Sequence, residues 1–146
     1  EGLGWLQEAR AFAGIIAGVI FATFGVRSRT GAMYLSIIFM FGVFMTLLSQ
    51  PSPLALTLGA VFLLSFFAAS CDIMAQSMMQ LSVANELRGR AMGIWVLALG
   101  FGPLGHLELG AVAGAFGLQS GLLLNGGILI LIAVMTAVLV PRLRQR

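Results

Sequence analysis

The sequence predicts an all-α fold, a polytopic membrane bundle of five transmembrane helices, from three observations. First, 60% of the 146 residues are hydrophobic and only 9% are charged, whereas a soluble domain carries roughly 25% charged residues. Second, residues 30–71 and 109–141 contain no charged residue, and each stretch exceeds the ~20 apolar residues that one helix needs to cross the hydrocarbon core. Third, turn-forming and basic residues divide the chain into pieces of helical length.

Turn signals set the boundaries between the helices. A basic turn at residues 25–31 ends the first helix. Pro51 and Pro53 end the second, because the residue before a proline is pushed out of helical geometry. Gly102 and Pro103 interrupt the fourth, where the missing amide and the proline ring predict a kink or local unwinding. The predicted helices belong to a single transmembrane domain fragment, residues 1–146, and cover about 8–26, 32–49, 54–81, 88–116 and 122–140.

Two GxxxG spacings, Gly14 to Gly18 and Gly110 to Gly114, permit close approach of a neighbouring helix backbone. In a chain with 19 glycines the same spacings also arise by chance. The sequence leaves both explanations open.

The arginines indicate orientation. Five crossings place the turn with Arg27 and Arg29, the loop with Arg88 and Arg90, and the tail at 142–146 on one side, which then holds seven of the eight arginines. Cytoplasmic loops carry the excess of basic residues, so we expect this side and the C-terminus to be cytoplasmic. Because the arginines lie between apolar helices, we predict no nucleic-acid binding.

The residue types needed for enzyme chemistry are not grouped in this sequence. There is no Ser/His/Asp grouping, metal-ligand spacing or phosphate-binding loop. One His and scattered acids do not supply a metal ligand set, and the single Cys71 suits a small packed residue. We therefore predict no enzyme activity, no catalytic residue, no metal site and no cofactor.

The third helix carries a polar stripe. Its members recur at spacings of three and four residues, which places them on one helical face, and the opposite face is apolar. We expect the apolar face to suit lipid and the polar stripe to suit a protein interior or a water-filled cavity. Met74, Met78 and Met79 suit core packing, and the alternative is that they line a hydrophobic cavity. The stripe consists of Ser65, Ala69, Asp72, Gln76 and Gln80.

Three ionisable groups, Asp72, His106 and Glu108, lie within the predicted crossings, where a charge costs ~2.5–3.5 kcal/mol at mid-membrane. Asp72, beside Gln76, suits proton coupling or contact with a cation; the alternatives are a structural hydrogen bond or an ion pair with a cytoplasmic arginine. His106 and Glu108 are two residues apart and point roughly 200° from each other on a helix. They suit separate proton or substrate roles, or else packing near the outer headgroups.

Two tracts carry a family resemblance: NELRGRAMG at residues 85–93 and GFGPLG at residues 100–105. Together they resemble the cytoplasmic loop entering helix eleven of the major facilitator superfamily, most nearly bacterial exporters similar to enterobactin and macrolide efflux permeases. The five segments then correspond to helices eight to twelve of twelve. Residues 25–31 fall where the family repeats its Gly-x-x-x-Asp-Arg-x-Gly-Arg loop, but this sequence has no Asp there. The resemblance therefore does not extend to the gate contact that the family's Asp makes.

The resemblance implies a proton-coupled exporter of small molecules in the bacterial inner membrane, working by alternating access between two helical halves. It implies as partners the lipid bilayer, a small-molecule substrate, and the missing N-terminal half and seventh helix. Arg27, Arg29, Arg88, Gly89 and Arg90 would be cytoplasmic loop and gate residues. The alternative is a non-transporting membrane scaffold or subunit that packs through its GxxxG faces.

Labelling of single cysteines tests the orientation. In a Cys71→Ala background, we expect Ser52→Cys to react with a membrane-impermeant thiol reagent in intact cells, because the Pro51/Pro53 loop lies outside. Glu86→Cys should react only after the cells are permeabilised. Labelling of Glu86→Cys in intact cells, with Ser52→Cys protected, would reverse the predicted orientation.

Overall fold

In the computed structural model, the described residues, 2–25 and 30–140, form only helices, turns and short connections. A 3-10 turn, Asn85–Leu87, precedes the fourth helix. Within these ranges there is no strand, which confirms the predicted all-α class. The α-helices are α1 (Gly2–Phe24), α2 (Thr30–Leu47), α3 (Leu54–Ser82), α4 (Arg88–Gly100), α5 (Gly102–Phe116) and α6 (Leu118–Leu139).

Length and composition make the helices fit to cross a membrane. A shorter apolar stretch, Gly31–Leu47, belongs to α2. Together with four longer apolar stretches, it accounts for the five predicted segments. A helix satisfies its backbone polar groups internally, as hydrocarbon requires. The four stretches of sufficient length are Gln7–Phe24, Leu54–Ser82, Asn85–Phe116 and Leu118–Leu139.

Helix α1 starts earlier than predicted, at Gly2 rather than near residue 8. The predicted start describes a membrane crossing, and the apolar stretch of α1 does begin at Gln7, but the helix extends beyond that stretch. Helix α6 also starts early, at Leu118 rather than near residue 122, and the remaining observed bounds lie within two residues of the predicted ones.

The predicted interruption at Gly102 and Pro103 is a short break between α4 and α5. Phe101 joins the two helices with φ −82° and ψ −7°, still in the right-handed helical region, and its amide donates to the Ala98 carbonyl at 3.1 Å. Pro103 lies in the first turn of α5, where a helix has no use for the missing amide. The chain therefore continues in one direction from α4 into α5 and does not turn back.

The helices pack in the spatial order α1, α3, α2, α6, α5, while α4 has only slight contact with α3 and α5. A small core lies where the first three helices meet: Phe21 of α1, Ile37 of α2 and Met74 of α3, with Met74 fully buried. Phe67 of α3 stacks on Phe44 of α2, with ring centroids 5.6 Å apart. Burying these side chains fixes α1, α2 and α3 as one unit.

Helices α2 and α6 cross at Gly42 and Gly126. A Cβ on Gly126 would collide with the Thr46 side chain and would lie 2.9 Å from the Gly42 carbonyl oxygen. A Cβ on Gly42 would lie 2.9 Å from the Gly126 carbonyl oxygen. Only residues without a side chain allow the two backbones to come this close.

Neither predicted GxxxG spacing makes such a contact. A Cβ added at Gly14, Gly18, Gly110 or Gly114 would meet nothing within 4 Å. On α1 the packed face is instead formed by Ala13 and Ala17, both fully buried. Of the two explanations left open, the contacts between the described helices favour chance occurrence, because the pattern permits close approach but does not supply a neighbour.

The crossing at Gly126 predicts a sharp difference between two adjacent glycines. Gly126→Ala should lower the free energy of unfolding by ~1–3 kcal/mol, the usual cost of overpacking, because its Cβ would press on the backbone of α2. Gly127→Ala is the matched control, since a Cβ there meets nothing within 4 Å. Thermal unfolding of both variants in detergent checks this, and equal stability would contradict the close crossing.

Candidate functional site

The polar stripe lies on the uncovered side of α3. Asp72 and Gln80 are exposed and Gln76 is half-buried, whereas Ser70 and Met74 on the other side are fully buried. Because α3 packs through the side that faces α1 and α2, the stripe is directed away from the bundle. The three polar residues thus form a continuous patch, called here the α3 polar face: Asp72, Gln76 and Gln80.

The expectation that the apolar face of α3 suits lipid is wrong for its central part. Phe67 and Met74 lie against α1 and α2, so this face builds the core. The choice of core packing for Met74 is confirmed, while Met78 and Met79 are half-buried. Hydropathy identifies a helix face as apolar, but it does not distinguish lipid from a neighbouring helix, since both are apolar.

The arginine loop meets the C-terminal end of the α3 polar face. Arg88, Gly89 and Arg90 form the exposed first turn of α4. One turn later, the Gln80 amide nitrogen lies 3.6 Å from the Met92 sulfur. The loop and the polar face are therefore neighbours, and a gate role for the loop stays a prediction. Arg27 and Arg29 lie outside the described residues.

Helix α4 carries a buried donor without a partner. The indole nitrogen of Trp95 is buried, and no described residue accepts its hydrogen bond. An unpaired buried donor costs about 1–3 kcal/mol. Together with the slight packing of α4 against α3 and α5, this shows that α4 is the helix least fixed by its neighbours.

His106 and Glu108 lie in α5, on regular helix past the break at Phe101. Both are exposed. The backbone around them is not unwound, so they point to different sides, as their spacing predicted. The Asn125 amide of α6 donates to the Glu108 carboxyl across 3.4 Å.

Sequence reasoning missed Asn125. The residue lies in a helix without charge, so neither an ionisable group nor a polar stripe marked it. Yet an amide within a crossing is itself costly unless it is hydrogen-bonded, and that signal was available from the sequence.

A groove between α2 and α6 has a volume of about 360 Å³ and is lined by Leu35, Phe39, Ala133 and neighbouring residues. It contains none of the predicted site residues. Within the described residues, no group of three or more His, Cys, Asp or Glu side chains could hold a metal ion.

These observations define a multi-pass membrane protein built as a helix bundle with isolated polar groups in its crossings. The chain belongs to the Major Facilitator Superfamily, whose sequence pattern matches residues 1–146. It is 31% identical over 144 residues to the multidrug efflux pump Tap of Mycolicibacterium fortuitum, an alignment that covers 98% of this chain and 35% of Tap. The chain thus spans about a third of that relative's length. No solved structure matches it.

Reaction of cysteines with a hydrophilic thiol reagent tests whether the α3 polar face meets water. Asp72 and Leu63 lie on opposite sides of α3, because nine residues correspond to about 900° of helical rotation, or two and a half turns. They also lie at similar distances from the middle of the helix. In a Cys71→Ala background of the full-length protein, we expect Asp72→Cys to react faster than Leu63→Cys. Equal, slow reaction at both positions would place the α3 polar face in lipid.

Proposed function

We propose that this chain is part of the C-terminal half of a proton-coupled exporter of small molecules, with segments equivalent to helices eight to twelve. The observation that carries the proposal is the uncovered α3 polar face. The printed name of the relative from Mycolicibacterium fortuitum, a multidrug efflux pump, supports export. Membership in a transporter family also favours a protein that is not an enzyme.

The cost of a charge in hydrocarbon indicates what covers the α3 polar face. Asp72 is exposed in the chain, and a charged carboxylate facing lipid near mid-membrane would cost ~2.5–3.5 kcal/mol. Water or further protein removes most of this cost. A cavity wall shared with an N-terminal half and a seventh helix is therefore the arrangement that these residues favour.

The exposed surface of α4 and α5 supports the same arrangement. No residue is buried in the most apolar window of Asn85–Phe116, and Leu97 and Leu107 are 65% and 68% exposed. Helices that line the contact between two halves of a transporter are covered only when both halves are present. The slight packing and unpaired Trp95 of α4 suit an element that shifts during alternating access.

The proposed site divides into two groups. Asp72 would couple export to protons, and Gln76 would bind substrate beside it; His106 and Glu108 are further proton or substrate candidates. Arg88, Gly89 and Arg90, with Arg27 and Arg29, would form the cytoplasmic loops. The arginine distribution supports a cytoplasmic C-terminus in a bacterial inner membrane.

A scaffold or subunit without transport activity is the alternative. The GxxxG faces that meet nothing within 4 Å favour it, since they are free to bind a partner helix. Family membership favours the transporter, and the same faces can meet the missing half.

The Asp72→Asn variant tests the coupling role in the full-length protein that contains this chain. In proteoliposomes with an imposed proton gradient, we expect gradient-driven export to fall to the rate measured without a gradient, because an amide cannot bind and release the proton. Thr23→Val is the control, since the Thr23 hydroxyl donates only to its own helix, at the Val19 carbonyl. Export at the full rate by Asp72→Asn would rule out the coupling role.

A further inference from the structure

Asn125 uses both hydrogens of its amide nitrogen. This nitrogen lies 3.2 Å from the Gly121 carbonyl oxygen, one turn earlier in α6, and 3.4 Å from an oxygen of the Glu108 carboxyl in α5. The bond to Gly121 fixes the amide against its own helix. The second hydrogen is thereby directed at α5.

The backbone brings the two residues together. Gly121 and Asn125 are four apart and share one face of α6. A Cβ on Gly121 would lie 3.0 Å from the side chain of Leu109 and 3.8 Å from the Ala113 amide. The face that carries Asn125 is therefore the face on which α6 meets α5, and Leu109 is adjacent to Glu108.

No other charged group in the described residues faces the Glu108 carboxyl from a neighbouring helix. Helix α6, which packs on α5, has no titratable residue. Helix α2 behind it has only Tyr34, which packs against the core at Met74 and not against α5. Helix α4 carries Arg88 and Arg90 only in its first turn, at the end remote from α5. On α5 itself, His106 points to another side. Asn125 is the polar partner that the structure gives to Glu108.

We propose that Asn125 is a positioning residue that holds the Glu108 carboxyl at the α5–α6 contact in both its ionised and its protonated form. The inference rests on the proposed proton-coupled export and makes Glu108 a proton-carrying position in it. The ionised carboxyl accepts a hydrogen bond from the Asn125 amide nitrogen. The protonated carboxyl keeps that bond and donates its own O–H to the Asn125 amide oxygen.

In this step Glu108 exchanges its proton with water and with no other group. A proton from water bonds to one oxygen of Glu108 and later returns to water, leaving the carboxylate. Because the amide offers both a donor and an acceptor, helices α5 and α6 stay joined in both states. An amide therefore suits this position better than a hydroxyl or an apolar side chain.

The test uses the full-length protein with Asn125→Leu, Asn125→Gln and Glu108→Gln. We expect Glu108→Gln to abolish the dependence of export on the proton gradient. Asn125→Leu should displace the pH at which export is half-maximal, and Asn125→Gln, which keeps the amide, should bring it back toward the wild-type value. Ser120→Ala is the matched control on the same helix, since the Ser120 hydroxyl donates only to the Phe116 carbonyl, at 2.9 Å.

Infrared difference spectra between wild type and Glu108→Gln in lipid bilayers give a readout that needs no transport. The C=O band of protonated Glu108 should move to higher wavenumber in Asn125→Leu, because the carboxyl loses its hydrogen bonds. An unchanged band and an unchanged pH profile in both Asn125 variants would overturn the inference. Export by wild type that ignores the proton gradient would instead refute the proposed coupling, while the band shift would still measure the pairing.

Discussion

The structure depends on one constraint: within hydrocarbon, backbone polar groups need hydrogen-bond partners inside the protein, and a side-chain polar group left without a partner is costly. Helices meet the constraint for the backbone. Several hydroxyls meet it by donating to the carbonyl four residues earlier in the same helix. Their hydrogens are then not available to bind a substrate or another helix. The groups that the helices do not satisfy in this way, among them Asp72, Gln76 and Glu108, are the ones that require another helix, water or a substrate. The hydroxyls bonded to their own helices include Thr23, Ser36, Thr46, Ser70 and Ser120.

The helices divide by how firmly they are held. Helices α1, α2 and α3 share the core around Met74, and α6 is locked to α2 where Gly42 meets Gly126. Helix α4 has slight contacts, and among the described residues the Trp95 indole donor has no partner. The proposed alternating access would use this difference, because it needs one part of the protein to move while another keeps its shape. The break at Phe101 separates α4 from α5, and only α5 packs closely on α6.

Much of the fold follows from sequence, because the membrane imposes length and polarity on each helix. Arginines, Pro51 and Pro53 gave boundaries close to the observed ones, and Pro103 gave the break between α4 and α5. The sequence did not indicate which helices pack against each other. The GxxxG spacing at Gly14 showed where close approach is permitted, whereas the real crossing at Gly126 depends on which helix lies opposite. The α3 polar face could be predicted from helical periodicity, but the contact of Asn125 with Glu108 joins residues on two helices, and no pattern within one helix contains it.

The two carboxyls lie at different depths. Asp72 is ten residues before the end of α3 at Ser82, a distance of about 15 Å along the helix; in the proposed orientation this end is cytoplasmic. Glu108 is eight residues before the outer end of α5 at Phe116, about 12 Å. Each acid is therefore nearer to a different side of the membrane. In the proposed transporter, a rocking motion that opened a shared cavity to one side and then to the other would bring water to Asp72 and Glu108 in turn. On this view the separation of the two acids is useful, because neither needs to span the membrane to exchange protons with its own side.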